Sequence, residues 1–332
     1  MKIKKVISLL GIVSLVSFLN AAEINGRGAS FPAPLYKAWI SAYNKATGQQ
    51  VNYTPTGSGD GIKSIKKRMV DFAGSDKPLK PKKLKKYKLY MFPTVIGSIV
   101  LAYNLPGIKD GELKLSQKAI AGIFSGKIKY WDDKELSSVN PDLKLPHQPI
   151  TVAVRADKSG TTFNFTYYLS KIDSDDFKPS KKPRWKANVI AGKSNSGVSA
   201  NIQQTKYSIG YIEYSYKQKL GLAAAQVQNK AGKYILPTLQ SFQEAAKYAK
   251  WSPKNDFYAI IAYPDGEKSY PIVAATFILL PQEKNDTNKL VTKFFDFAYS
   301  DGDKIATDLG YVPLPKETKD MVRKYWEEKG IK

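Results

Sequence analysis

Cysteine is absent from this 332-residue chain, and histidine occurs once, at position 147. Without cysteine there can be no disulfides, no thiolate metal sites and no lipid-bearing cysteine behind a leader segment. With a single histidine, any Ser-His-Asp triad would depend on His147 in the loop Leu145-Pro-His-Gln-Pro149, and no His/carboxylate cluster has the spacing of a catalytic metal site. His147 reads as an exposed loop residue, and the chain is expected not to be an enzyme.

Acidic residues are also few, 29 against 52 Lys and Arg, for a formal charge of +23. Such an excess favours anionic partners: small anions, nucleic acid or anionic lipid head groups. A polymer binder needs a basic stripe interleaved with aromatics. The one dense run, Lys77 to Lys88, offers only Tyr87 and Tyr90 nearby, so it reads as a solvated helix face and no nucleic acid is expected.

Long apolar stretches near the start are limited to Val6–Leu19. It follows three lysines in Met1–Lys5 and precedes the small residues Asn20-Ala21-Ala22, the layout of a cleavable signal peptide. Its fourteen residues fall short of the roughly 20 of a spanning helix. Residues 1–22 are therefore expected to be removed, which takes away Lys2, Lys4 and Lys5 and lowers the charge from +23 to about +20. The mature protein is expected to be soluble and periplasmic.

The remaining length and a hydrophobic share of 42% are enough for two domains. Strand-like and helix-like segments alternate: a helix from Pro34 to about Thr47, a strand Val51–Tyr53, a glycine turn, a helix Ile62–Met69 and a strand Val70–Ser75. That alternation predicts an α/β fold with largely parallel sheets. Two long apolar runs, Phe92–Leu105 and Tyr270–Leu280, read as strands that carry the chain out of one domain and back. The first domain is then discontinuous, with residues 23–100 and 270–332 in one lobe and 101–269 in the other. Lys289–Tyr299 and Lys316–Lys329 read as late helices.

The densest chemistry lies in Arg155-Ala-Asp157-Lys-Ser159-Gly160-Thr161-Thr, between a predicted strand, Pro149–Val154, and a predicted helix from Thr162 to Leu169. A helix start presents unpaired N–H groups and the positive end of the dipole, which suits an oxyanion. Taken alone, the same run also suits a helix cap with an Arg155–Asp157 ion pair. Two further segments repeat the pattern of strand, Gly/Ser turn and helix: Gly26-Arg-Gly-Ala-Ser30-Phe31-Pro32 and Gly57-Ser58-Gly-Asp60-Gly61. Neither the Gly-Lys-Ser/Thr ending of a nucleotide loop nor a helix-opening Gly-x-Gly-x-x-Gly is present in the glycine turn, so no cofactor is expected. Asp76, after Asp71-Phe-Ala-Gly74-Ser75, reads either as a helix cap or as an acceptor facing an anion that still carries a proton. Phosphate has such a proton at neutral pH, and sulfate has none.

Seven segments in order are similar to the phosphate-binding proteins of phosphate-specific ABC importers. They are Gly28-Ala-Ser30-Phe31-Pro32-Ala-Pro34, Tyr53-Thr-Pro-Thr-Gly57-Ser58-Gly, Val70-Asp-Phe-Ala-Gly-Ser75-Asp76, Phe92-Pro-Thr-Val-Ile-Gly97, Gly126-Lys-Ile-Lys-Tyr-Trp131-Asp132, the Arg155–Thr161 run and Ile209-Gly-Tyr-Ile-Glu213-Tyr. The resemblance implies a two-lobed type II periplasmic binding fold, each lobe a mixed sheet flanked by helices, with two hinge crossovers and inorganic phosphate held between the lobes. It also implies delivery to the membrane permease and ATPase subunits of an importer, by a monomer. Carried over by position, the phosphate ligands would be Ser30, Phe31, Ser58, Asp76, Arg155, Ser159, Gly160 and Thr161, with Asp157 orienting Arg155. Ser30 stands where threonine is usual, and Asp60 and Lys158 add charges expected at the cleft rim. The alternatives are another tetrahedral oxyanion, sulfate or molybdate, and a charge-driven nucleic-acid or envelope-polymer binder.

Overall fold

The computed structural model describes residues 23–332, so the expected signal peptide lies outside the described residues. Eight strands form the spine of a ten-stranded sheet: β1 (Ile24–Gly28), β2 (Val51–Thr54), β3 (Phe72–Ser75), β4 (Leu89–Asn104), β5 (Thr151–Arg155), β6 (Val189–Gly192), β7 (Ser208–Glu213) and β8 (Val273–Pro281). Their spatial order is β2-β1-β3-β8-β4-β7-β5-β6. The β2-β1-β3 and β7-β5-β6 groups are parallel, whereas β8 and β4 run antiparallel to each other and to their outer neighbours. The two apolar runs singled out in the sequence are thus adjacent central strands, β4 and β8.

β4 makes the sheet continuous. Leu89 to Ser98 pair with β8, and Ile99 to Asn104 pair with β7. β4 is buried along almost its whole length, which explains its near-unbroken apolar reading. Its one proline among the β8-paired residues, Pro93, has no N–H for the ladder. The register slips just there, between Thr276 and Phe277, leaving Thr94 out of the pairing. Thr94 Oγ1 instead donates to the Thr276 carbonyl at 3.2 Å and bonds the Tyr36 hydroxyl at 2.7 Å.

Four helices begin at the carboxyl ends of parallel strands: α1 (Ala33–Thr47) after β1, α2 (Ser58–Lys66) after β2, α4 (Gly160–Ile172) after β5 and α5 (Ser194–Gln204) after β6. Between them α3 (Pro81–Tyr87) carries the lysine run, with Leu84 its only buried residue. α2 starts four residues earlier than its apolar periodicity suggests. Gly57 takes φ +98° and lets the Gly/Ser segment enter the first turn, and Arg68 at φ +57° follows its end. α1 buries Leu35, Tyr36, Trp39 and Tyr43 along one stripe and ends on Gly48 in the left-handed region. That stripe meets the late helix α6 (Asn285–Asp301), Tyr43 with Phe294 and Tyr36 with Phe295, and the last helix, α7 (Lys316–Glu328), joins the same aromatic core where its Trp326 meets Phe92 of β4. Truncating any of these rings to alanine costs roughly 3–5 kcal/mol. Among the described residues, no helix is long and apolar enough to cross a membrane.

Candidate anion-binding site

The starts of α1, α2, α4 and α5 converge on one place, and three of the four have no side-chain cap. All four starts point positive dipole ends inward, although the Ser194 and Asn195 N–H groups of α5 already donate to Asp157 Oδ1 and Ser30 Oγ and the Gly59 N–H of α2 to the Lys158 carbonyl. The capped start is that of α4, where Ser159 Oγ accepts from the Thr162 N–H at 3.1 Å. Capping in this way uses Ser159 as an acceptor and leaves its O–H free to donate. The two sequence readings of Ser159, cap and ligand donor, are therefore compatible.

Every phosphate ligand carried over by resemblance is buried here, Ser30, Phe31, Ser58, Asp76, Arg155, Ser159, Gly160 and Thr161, and Asp157 is partly buried beside them. They interlock across the two strand groups. A Cβ placed on Gly160 would lie 2.3 Å from Ser58 Oγ and 2.6 Å from Asp76 Oδ2, so only glycine permits this approach. Likewise a Cβ on Gly57 would lie 2.2 Å from Asp157 Oδ2.

Arg155 is the positive charge of the site, its side chain only 1% exposed. Its Nε and Nη2 donate to the two carboxylate oxygens of Asp157 at 2.8 and 2.6 Å, a bidentate pair that fixes the guanidinium plane. Its Nη1 donates to Thr161 Oγ1 at 3.3 Å. Burial alone would raise the Asp157 carboxyl, but Arg155 and the Ser194 N–H together hold it below its ordinary range.

Asp76 is different. Burial pushes its carboxyl up to about 7, against the opposing pull of Thr276, Arg155 and Ser58. Thr276 Oγ1 donates to Oδ1 at 2.8 Å, and Ser58 Oγ lies 3.2 Å from Oδ2. Asp76 does not cap α3, so its helix-cap reading drops out.

The backbone of Ala29–Phe31 is oriented from behind by three tyrosines. Tyr53 donates to the Ala29 carbonyl at 2.8 Å, Tyr216 to that of Ser30 at 2.7 Å and Tyr311 to that of Phe31 at 2.7 Å. With the carbonyls held on that side, the Ser30 and Phe31 N–H groups face the other way. Among the described residues they donate to no protein acceptor.

Sequence reasoning missed Asn195. Its N–H and Nδ2 both donate to Ser30 Oγ at 3.1 Å, Nδ2 also reaches Thr161 Oγ1 at 3.1 Å, and Oδ1 accepts from the Glu213 N–H at 3.0 Å. One amide thus joins the Ser30 loop to α4 and β7. The hydroxyls of Ser30 and Thr161, already accepting twice, are left as donors. The signal lies in Gly192-Lys-Ser-Asn-Ser-Gly197, a fourth strand, Gly/Ser turn and helix.

Asp60 and Lys158 differ in fate. Asp60 accepts from Thr56 Oγ1 at 2.7 Å and lies 3.8 Å from Arg27, so its charge is balanced. Lys158 is exposed, and its carbonyl accepts from the Gly59 N–H at 2.8 Å. His147 stacks on Tyr130 with centroids 4.7 Å apart and bonds Asp132 at 2.9 Å, in an exposed loop. Among the described residues, no group of His and carboxylates could hold a metal ion.

Residues 19–302 match the family model of the PBP superfamily domain. The chain is 47% identical over 316 residues to the phosphate-binding protein PstS of Haemophilus influenzae, covering 93% of this chain and 94% of that one. It is 43% identical over 314 residues to PstS of Pasteurella multocida, covering 93% and 91%. Among solved structures it is similar to a phosphate-binding protein from Stenotrophomonas maltophilia, with TM-score 0.71, 23% identity and 92% and 94% of the two chains covered. A high-affinity periplasmic phosphate-binding protein, PfluDING, solved with phosphate bound, gives TM-score 0.75 at 22% identity, covering 91% and 93%. These two likenesses show the fold.

Proposed function

This chain belongs to the PstS family of phosphate-binding proteins, and from that premise we propose that it holds inorganic phosphate between its two strand groups for delivery to an importer. The observation that carries the reading is the polarity of the cup. Four helix starts point their positive dipole ends at one place, and the Ser30 and Phe31 N–H groups and the hydroxyls of Ser30, Ser159 and Thr161, already engaged as acceptors, present hydrogens to it. Arg155 adds charge-assisted donors, and Asp157 keeps it in plane.

Asp76 is the selective element. Hydrogen phosphate retains a P–OH in both of its neutral-pH ionisation states and can donate it to the Asp76 carboxylate. Sulfate has no proton to give, and two unprotonated acceptors would face each other in a buried place. Sites built around a required hydrogen bond reject analogues lacking it by about 10⁴–10⁵. Sulfate and molybdate are therefore the disfavoured ligands.

The lobes are residues 23–100 with 270–332, and residues 101–269. They close over the ligand because phosphate contacts both, and only the closed form offers it every donor. The protein acts in the periplasm after loss of residues 1–22, as a monomer, and the closed form is what the permease and ATPase subunits receive. No chemistry is performed on the ligand.

The test is calorimetric titration of the mature, phosphate-stripped protein with phosphate and with sulfate, near pH 8, at two salt concentrations. Tight phosphate binding that salt barely weakens, without sulfate heat, is the expected result. Equal binding of both anions, or binding lost with salt, overturns the reading.

A further inference from the structure

A second basic feature lies beside the cleft mouth and outside the cup. A cavity of about 640 Å³ is lined by Lys63 and Lys66 of α2, by Lys67 at its C-cap and, from the opposite strand group, by Lys158 and Lys181. Its two carboxylates are already committed, Asp60 to Arg27 and Thr56 and Asp157 to Arg155. Among the described residues none of the five lysines pairs with a carboxylate. Lys66 has its ammonium 4.0 Å from the Tyr87 ring centroid, a cation–π contact that leaves it without an anionic partner.

From the five lysines without a carboxylate partner that line this cavity from both sides of the cleft, we propose a second anion site that takes a triphosphate chain, free or on a nucleoside. The volume is that of a small-molecule site. Lysine ammonium groups are point charges on flexible stems, suited to a chain of phosphoryl groups rather than to one planar oxyanion. Each exposed contact is weak, so occupancy needs a ligand with several negative charges that engages both walls at once. Crowding is visible at Lys181, whose ammonium is lowered to about 8 by burial and by the charges of Lys77, Lys158 and Lys66. A multivalent anion relieves that repulsion, and by bridging the walls it holds the cleft shut.

The site is separate from the phosphate cup, so its test stands whether or not the cup binds phosphate. Sodium tripolyphosphate and ATP are titrated calorimetrically into the mature protein, with and without saturating orthophosphate. Two variants of equal charge are compared with it: Lys63→Ala/Lys158→Ala/Lys181→Ala, and a control with Lys82→Ala/Lys83→Ala/Lys86→Ala on α3. Saturable binding of one equivalent is expected, strengthened rather than displaced by orthophosphate because both ligands favour the closed cleft, about tenfold or more weaker in the cavity variant and unchanged within about threefold in the control. The single variant Lys158→Ala gives an intermediate loss, which keeps the test readable if the triple variant folds poorly. Tighter binding of tripolyphosphate identifies a free condensed phosphate, and tighter binding of ATP a nucleoside triphosphate. Absence of saturable binding, displacement by orthophosphate, or equal loss in the control variant overturns the proposal.

Discussion

Thr276 Oγ1 donates a 2.8 Å hydrogen bond to Asp76 Oδ1 across 200 residues of sequence. Thr276 reaches it from the point where β8 slips against β4, so the irregularity forced near Pro93 places a donor behind the Asp76 carboxyl. The bond favours the ionised form and works against the burial that raises Asp76 to about 7.

A carboxyl at about 7 makes sulfate binding pH-dependent. Protonated Asp76 becomes a donor and can satisfy a sulfate oxygen, whereas ionised Asp76 repels it. Sulfate affinity is expected to fall about tenfold per pH unit above 7 and to level off below it, while phosphate affinity stays nearly flat. Titrations with both anions from pH 5.5 to 9 check this, and a sulfate affinity that rises with pH refutes it.

Thr276→Val removes the donor at nearly constant volume. The Asp76 carboxyl then rises further, and the pH at which sulfate binding fades moves upward by about one unit. Asp76→Asn goes further, supplying a permanent donor in place of the acceptor. Its sulfate binding is expected to lose its pH dependence, with phosphate weakened.

Asn195→Ala breaks the link between Ser30, Thr161 and the Glu213 N–H. Buried groups left unpaired cost about 1–3 kcal/mol, so phosphate affinity is expected to drop about 10- to 100-fold. Asn195→Asp puts a carboxylate beside the anion and loses more than the alanine variant. Calorimetry ranks the two, and an aspartate variant that binds better contradicts the assignment.

Gly160→Ala drives a methyl into Ser58 Oγ and Asp76 from the opposite side of the cleft. The clash exists only when the two groups of strands are apposed. Phosphate affinity is expected to fall about 100-fold or more, while the thermal transition of the ligand-free protein moves little.

Glu213 is fully buried and raised to about 8, chiefly by desolvation, although the Ser215 N–H and hydroxyl donate to its Oε2 and the Tyr311 hydroxyl lies 2.9 Å from it. Its Oε1 has no partner among the described residues. A carboxyl higher in the folded than in the unfolded state gives stability that is full below about 4.5 and is lost as pH rises through about 8. Glu213→Gln escapes that loss. Relative to the parent, its unfolding free energy is expected to gain on the order of 4 kcal/mol between pH 5 and pH 9, read by denaturant unfolding at each pH.

Much of the cup was legible because its chemistry is local. A strand, a turn of glycine and hydroxyl residues and a helix start lie within a dozen positions, and the types Ser, Gly, Thr and Arg state which donors are offered. The same logic covers Ser30, Ser58, Asp76, Arg155 and Ser159–Thr161, all of which the fold gathers together. Asn195 carried the same local pattern and was passed over, since nothing in its own segment shows that its amide meets Ser30 across 165 residues.

What the amino-acid order determined by itself was the set of donors, the helix starts that present them, the excess of positive charge and the exclusion of thiol chemistry. Only the tertiary structure decided that one strand, β4, unites the sheet, that Tyr311 turns the Phe31 peptide from 280 residues away, and that burial raises the Asp76 carboxyl to about 7. The reason is physical. Periodicity and turn chemistry are set by neighbours in the chain, whereas desolvation and hydrogen bonding across the cleft depend on which distant segments close over a group, and no local pattern records that.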